Sequence, residues 1–148
     1  MVYFKLGKTL SPFGGVNRAI CNIDKGLLKN LIEKFNIQKI NNIILSNKKK
    51  ILDSQTPVSM GMWGFRPSIF VKLEEIFKDF LKVNRNKLNS EFLIPEAINF
   101  IIQDKKEKMF AISSNSKWYG ITYNEDCIFV KDNIKKIVND GEYQKELF

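Results

Sequence analysis

The sequence predicts an α/β fold, a mixed β-sheet flanked by helices. Three observations predict it. The first part of the chain holds apolar runs of strand length, separated by turn signals, in a meander without a clear helix between them. From Pro67 onward the apolar spacing switches to a period of 3.6. A strand-like run at 108–113 then separates two helical stretches, the alternation of α/β proteins. The length of 148 residues suits a single domain, 1–148, and a chain of that size buries about 70% of its unfolded surface.

In order along the chain, residues 15–23, GVNRAICNI, suit a strand with Val16 and Ile20 on one face and Ala19, Cys21 and Ile23 on the other. Asp24-Lys25-Gly26 is a turn that places glycine where positive φ is needed. The segment after it has two readings. Leu27, Leu28, Leu31, Ile32 and Phe35 fit a helical stripe, and a strand paired back through the turn fits as well; periodicity alone leans to helix. Residues 42–46 and 49–53 read as a hairpin around Asn47-Lys48. The run 57–65, large and apolar on both faces, reads as a central strand covered on both sides.

Pro67 pre-sets φ for a first helical turn. Ile69, Phe70, Leu73, Ile76, Phe77, Phe80 and Leu81 then form a 3.6-period stripe, with Lys72, Glu75, Lys78 and Asp79 off it. A second helix starts near Pro95 and buries Ile94, Ala97, Ile98, Ile101 and Ile102. A third opens at Thr122-Tyr123-Asn124-Glu125, in the pattern of a capping box. Its stripe is Cys127, Val130, Ile134, Ile137 and Val138, and Gly141 ends it.

Composition excludes several classes of function. The sequence is 44% apolar and 27% charged, ordinary for a globular protein. No run reaches the roughly 18 apolar residues that span a bilayer. MVYFKLGKTL lacks the apolar core of a signal peptide, so a cytoplasmic location without membrane contact is the expectation. The net charge of +8 invites a nucleic-acid reading, but Lys outnumbers Arg by 21 to 3, and the abundant Asn and Ile, 15 and 19, share the A/T-rich codons of Lys. The clusters Lys48-Lys49-Lys50 and Lys105-Lys106 read as a turn or helix end, and no nucleic-acid partner is expected. With no His in the chain, His-based triads and His-ligated metals are out. Cys21 and Cys127 have no metal-like spacing and read as core thiols.

PVSMGMWGF, followed by a proline and an amphipathic helix, resembles a strand–helix unit of the bacterial sugar-phosphate nucleotidyltransferases, in particular a subfamily with a strand of the type V-S-M-N-M-W-G-F. Further segments are similar in order: Phe13-Gly14-Gly15-Val16-Asn17-Arg18-Ala19, Leu31-Ile32-Glu33-Lys34, Ser90-Glu91-Phe92-Leu93-Ile94-Pro95 and Lys117-Trp118-Tyr119-Gly120-Ile121-Thr122. The closing Asn139-Asp140-Gly141-Glu142-Tyr143 with Leu147-Phe148 matches too. The resemblance runs from about residue 9 to the end.

The resemblance implies a Rossmann-like (GT-A) α/β/α domain with a mixed central sheet, and it makes 27–34 a strand. It also implies a reaction. A sugar 1-phosphate oxygen attacks the α-phosphorus of a nucleoside triphosphate, giving a nucleotide sugar and pyrophosphate, with Mg²⁺, Lys and Arg neutralising charge. The family's Gly-rich G-x-G-T-R loop, which holds the triphosphate, does not occur here, nor does its metal-binding Asp. The chain therefore resembles the C-terminal, sugar-binding part of such a domain. The expectation is a fragment inactive alone, with no catalytic residue and no metal ligand of its own. The alternative is a non-catalytic sugar-phosphate-binding or regulatory module that acts with a separate N-terminal partner.

The implied substrate-binding residues are Gly14, Glu33, Lys34, Ser59 and Gly61. Gly14, with Gly15 as the alternative, would offer its backbone N–H to a sugar hydroxyl. Glu33 would accept hydrogen bonds from two adjacent hydroxyls. Lys34 would neutralise the sugar phosphate, and Ser59 and Gly61 would line the pocket. The subfamily has Asn where Gly61 stands. Gly120 stands where many members carry a second metal-binding Asp, and the nearby Glu125 and Asp126 are explained as capping charges. Trp63 and Trp118 stack on a sugar in one reading and pack in the core in the better supported one. Loss of the N-terminal half would expose the edge of strand 57–65 and the inner face of helix 68–82, so self-association is expected.

Overall fold

The structure, a computed structural model, describes residues 1–47, 49–103 and 107–146. Lys48, the Lys105-Lys106 cluster and Leu147-Phe148 lie outside the described residues. The described chain is a mixed α/β protein with one seven-stranded sheet and three α-helices. The strands are β1 Val2–Lys5, β2 Val16–Asp24, β3 Leu27–Ile40, β4 Ile43–Ser46, β5 Lys50–Leu52, β6 Pro57–Ser59 and β7 Ile112–Ser113, and the helices are α1 Ile69–Asn84, α2 Ile94–Gln103 and α3 Asn124–Asn139. Sheet order is β5-β4-β3-β2-β6-β1-β7. The β1–β7 pair is parallel and the other described pairs are antiparallel.

The β2–β3 hairpin organises the sheet. Lys25 and Gly26 both take positive φ, 49° and 77°, the two-residue turn whose twist matches that of the strands it joins. Alternation along β2 sends Ala19, Cys21 and Ile23 to a cluster with Leu28, Leu31 and the helical residues Ile69, Leu73, Ile98 and Ile101. Val16 and Ile20 go to the opposite cluster, with Phe4, Leu6, Ile37, Val58 and Trp118. This is the division of faces that the period-2 pattern predicts. Burial pushes the Cys21 thiol up to about 12, with the N-terminal ammonium opposing, so it is an inert core thiol. Cys127 corrects its expectation: it is exposed on α3.

The 27–35 segment is a strand, and a bulge explains its helical spacing. Asn22 faces Asn30 while Ile23 faces Leu28, so Lys29 is an extra residue on β3. Leu28 and Leu31, three apart, thereby reach the same face and are both buried. Ile32 and Phe35, the other members of the apparent stripe, are exposed. Beyond the reach of β4, the outer edge of β3 is closed by a side chain. The Asn99 amide of α2 donates to the Leu31 carbonyl at 2.7 Å, and the Leu31 N–H donates back to the Asn99 oxygen at 2.7 Å.

Strand 57–65 is shorter than its apolar run implies. The ladder covers Pro57–Ser59, and Gly61, at φ 76°, turns the chain away. Its edge is not bare either, because β2 pairs on one side and β1 on the other. Periodicity does not mark β1, since four residues are too few to show alternation. Among the described residues the edge strands are β5 and β7, and Ile112 of β7 is exposed. Only Ile112–Ser113 of the 108–113 run joins the β1 ladder. The residues before them bind the β2–β3 tip instead, with Leu28 N–H donating to Met109 and Ala111 N–H to Gly26.

Helix α1 follows Pro67, but none of its residues is buried. Ile69, Leu73 and Ile76 touch the core, whereas Phe70 is 72% exposed. Phe77 and Phe80 gather around Phe92, at 5.2 and 5.5 Å between ring centroids. Helix α2 buries Ala97, Ile98 and Ile101 as its stripe predicts. Helix α3 begins one residue later than the Thr–Glu pattern suggests, and its capping acid is Asp126 rather than Glu125. That carboxylate accepts from the N–H groups of Thr122 and Tyr123, both at 2.8 Å, and from the Ser11 hydroxyl at 2.9 Å. At the other end Gly141, φ 79°, donates to Val138 and Glu142 donates to Ile137, a Schellman closure.

Candidate functional site

Four adjacent strands align one row of residues. Tyr3 of β1 faces Ser59 of β6, Ser59 faces Ala19 of β2, and Ala19 faces Glu33 of β3. Ala19 packs in the cluster beneath α1 and α2, so this row lies on the helical side of the sheet. Alanine in the middle of the row leaves a depression between Ser59 and Glu33. The loop after β6 brings Gly61 and Trp63 to its rim, and Ile94 and Pro95 of α2 form another side of this open hollow of about 330 Å³. That is within the range of small-molecule sites, about 300–1,000 Å³.

Glu33 is the acidic group of this hollow. Burial raises its carboxyl above the ordinary range, Arg18 opposes the rise, and Glu96 adds to it. None of the four ion pairs among the described residues engages it. The Ser59 hydroxyl accepts from the Gly61 N–H at 3.3 Å, which leaves its own O–H to donate. A Cβ at Gly61 would meet nothing within 4 Å. The left-handed backbone, rather than crowding, is what suits glycine there, and asparagine also tolerates that conformation. Trp63 stacks on Phe65, with ring centroids 5.9 Å apart and planes within 7°.

Two of the five residues that the resemblance implies lie elsewhere. Lys34 follows Glu33 with no intervening bulge, so it projects to the opposite face, in register with Arg18, and does not line the hollow. Gly14 does not line it either. A Cβ there would overlap the Tyr123 ring, and the Tyr123 hydroxyl donates to the Gly15 carbonyl at 2.7 Å. The two glycines are a docking surface for the residue that leads into α3. Trp118 is partly buried and packs against the core, edge-on to Phe4 at 5.5 Å and 72°. Asn17 and the α2 pair Ile94-Pro95 also line the hollow; the sequence marked Ile94 for the apolar stripe of α2 and Pro95 for its start, and none of the three for the site. Asn17 and Pro95 do stand inside quoted motifs, the one signal that could have found them.

Arg18 borders the hollow too, but it pairs with Lys34, so its side chain leaves from the opposite face, where the guanidinium is tethered. It donates to the Thr9 hydroxyl at 3.3 Å, to the Asn17 carbonyl at 2.7 Å and to the Thr9 carbonyl. A Mg²⁺ ion takes several oxygen ligands in an octahedron, and the lining does not fit it. Glu33 is its one carboxylate, and Asp126 is taken up by three donors. A larger hollow of about 510 Å³ lies between the start of α1 and the end of α2. It holds none of the implied residues.

Fold and site together define a mixed α/β protein with a small acidic hollow between its sheet and α2. Comparison with protein-family models finds no match to this chain, and comparison with curated proteins finds no similar sequence. Among the described residues no helix is long and apolar enough to cross a membrane.

Proposed function

We propose that this chain is a sugar-phosphate nucleotidyltransferase-like protein that carries the sugar-binding part of the domain and does not transfer a nucleotide alone. One observation carries the reading. Glu33, Ser59 and Gly61, drawn from two separate segments of the resemblance, line one hollow of small-molecule size. An ionised carboxylate only accepts hydrogen bonds, so it suits a ligand rich in hydroxyl donors. The Ser59 O–H supplies a donor in return, and Trp63 offers an apolar ring for the C–H face of a sugar.

The chemistry of nucleotidyl transfer needs donors and cations at the α-phosphorus, and this sequence lacks the G-x-G-T-R loop that would place them. Incubation with a nucleoside triphosphate, Mg²⁺ and a panel of sugar 1-phosphates is therefore expected to release no pyrophosphate. Release at an enzyme-like rate would overturn this reading. In ligand-observed NMR, Glu33→Ala is expected to weaken sugar binding about tenfold or more, the loss of a charge-assisted hydrogen bond. An unchanged affinity counts against the site. Because the Glu33 pKa is raised, binding by the ionised form should strengthen as pH rises through that raised value.

The alternative, a non-catalytic module that works with a separate N-terminal half or a second copy, draws on a different observation. Among the described residues the β7 edge is unpaired on one side, Phe110 and Ile112 are exposed beside it, and no residue of α1 is fully buried. Such an edge is a template for pairing. Light scattering is expected to show self-association that Ile112→Lys reduces, and a clean monomer at high concentration contradicts it.

A further inference from the structure

We infer that the hollow takes the uncharged, hydroxyl-bearing face of its ligand and gains nothing from a phosphate group. The inference rests on the sugar-binding reading and narrows it to the ligand's chemistry. The lining holds two charged residues, Glu33 and Arg18. The Arg18 guanidinium is drawn back to Thr9 and Asn17 by three hydrogen bonds. Glu96 of α2 adds a second negative charge within electrostatic reach of Glu33. Lys34, the cation that the resemblance assigns to the phosphate, stands on the other face of the sheet.

A phosphate monoester carries about −1.5 to −2 charges and offers acceptor oxygens. An ionised Glu33 likewise only accepts, so it makes no hydrogen bond to a phosphate oxygen, and the phosphate gains no contact in the hollow. Sugar hydroxyls donate to Glu33 and accept from Ser59, and the remaining wall, apart from the neutral Asn17 and the small Ala19 and Gly61, is Met60, Trp63, Ile94 and Pro95, an apolar surface for ring carbons. A neutral glycoside matches Glu33, Ser59 and the apolar wall in chemistry. A phosphate leaves its own charge without a partner.

Saturation-transfer NMR on the full chain tests this with matched pairs: the methyl α-glycosides of glucose, galactose and mannose against the corresponding α-1-phosphates. The expected result is that, for whichever sugar binds, the two members have affinities within about threefold, and that raising salt to about 1 M leaves both unchanged. Glu33→Gln, which keeps the side chain's shape, should weaken both members, with thermal melting to verify that the variant folds. A sugar phosphate that binds about tenfold tighter than its glycoside and is released by salt overturns the inference while leaving the sugar-binding reading in place. Failure of every glycoside and every phosphate to bind overturns both.

Discussion

Replacing Asp126 by alanine is expected to lower the stability of the protein by about 2–3 kcal/mol, the sum of a lost helix cap and of donors left without acceptors. The residue is 1% exposed and its oxygens receive two backbone N–H groups and the Ser11 hydroxyl. Ser11 belongs to the loop before β2, so the carboxylate both caps α3 and anchors it to the sheet. Burial disfavours the ionised form, and the three donors outweigh it, so the folded-state pKa lies below the ordinary carboxylate value. A depressed pKa contributes stability that is complete above the unfolded-state value, near 4, and is lost as pH falls through the lower folded-state value. Denaturant unfolding of the wild type and Asp126→Ala at pH 7 and at about pH 3 measures this. The gap between them should narrow on acidification; a gap that stays constant refutes the ionised cap.

The second large effect lies in α2. Ile98→Ala is expected to cost about 3–4 kcal/mol, the transfer energy of the lost carbons plus the cavity they leave. Ile98 is fully buried among Ala19, Leu28 and Leu31. Phe70→Ala, on the stripe of α1, removes more carbon but is expected to change stability by no more than about 0.5 kcal/mol, because the ring is 72% exposed. Comparable costs for the two would mean that α1 packs more deeply than the structure places it.

Both residues belong to equally regular 3.6-period stripes, so the sequence marks their helices but not their burial. A stripe records which face is apolar; what covers that face is decided by elements far away in the chain. The same limit appears in β3. Leu28 and Leu31 have helical spacing because the Lys29 bulge rotates the strand between them, and a bulge is a property of the pairing with β2 that a single segment does not encode. The resemblance, which draws on a longer pattern, pointed to a strand where local periodicity pointed to a helix.

The candidate site was legible in part for the same reason. Glu33, Ser59 and Gly61 stand in quoted motifs and line one hollow. Lys34, adjacent to Glu33, is carried to the other face by the pleat. Gly14 is small because the Tyr123 ring, more than a hundred positions away, lies against it. Asn17 and Pro95 are chemically unremarkable in sequence and matter only because strand register and the seating of α2 bring them to the rim.

What the sequence determined by itself was local: the alternation of β2, the turn at Lys25-Gly26, the starts of three helices to within a residue or so, the stop of α3 at Gly141, and the mixed α/β class. Each follows from side-chain periodicity or from backbone preferences within a few residues. Tertiary structure alone decided that β1 lies between β6 and β7, that α1 stays largely uncovered, and that a serine, an alanine and a glutamate from three strands form one floor. Those outcomes depend on hydrogen-bond register between distant segments, where a shift of a single residue moves every side chain to the opposite face.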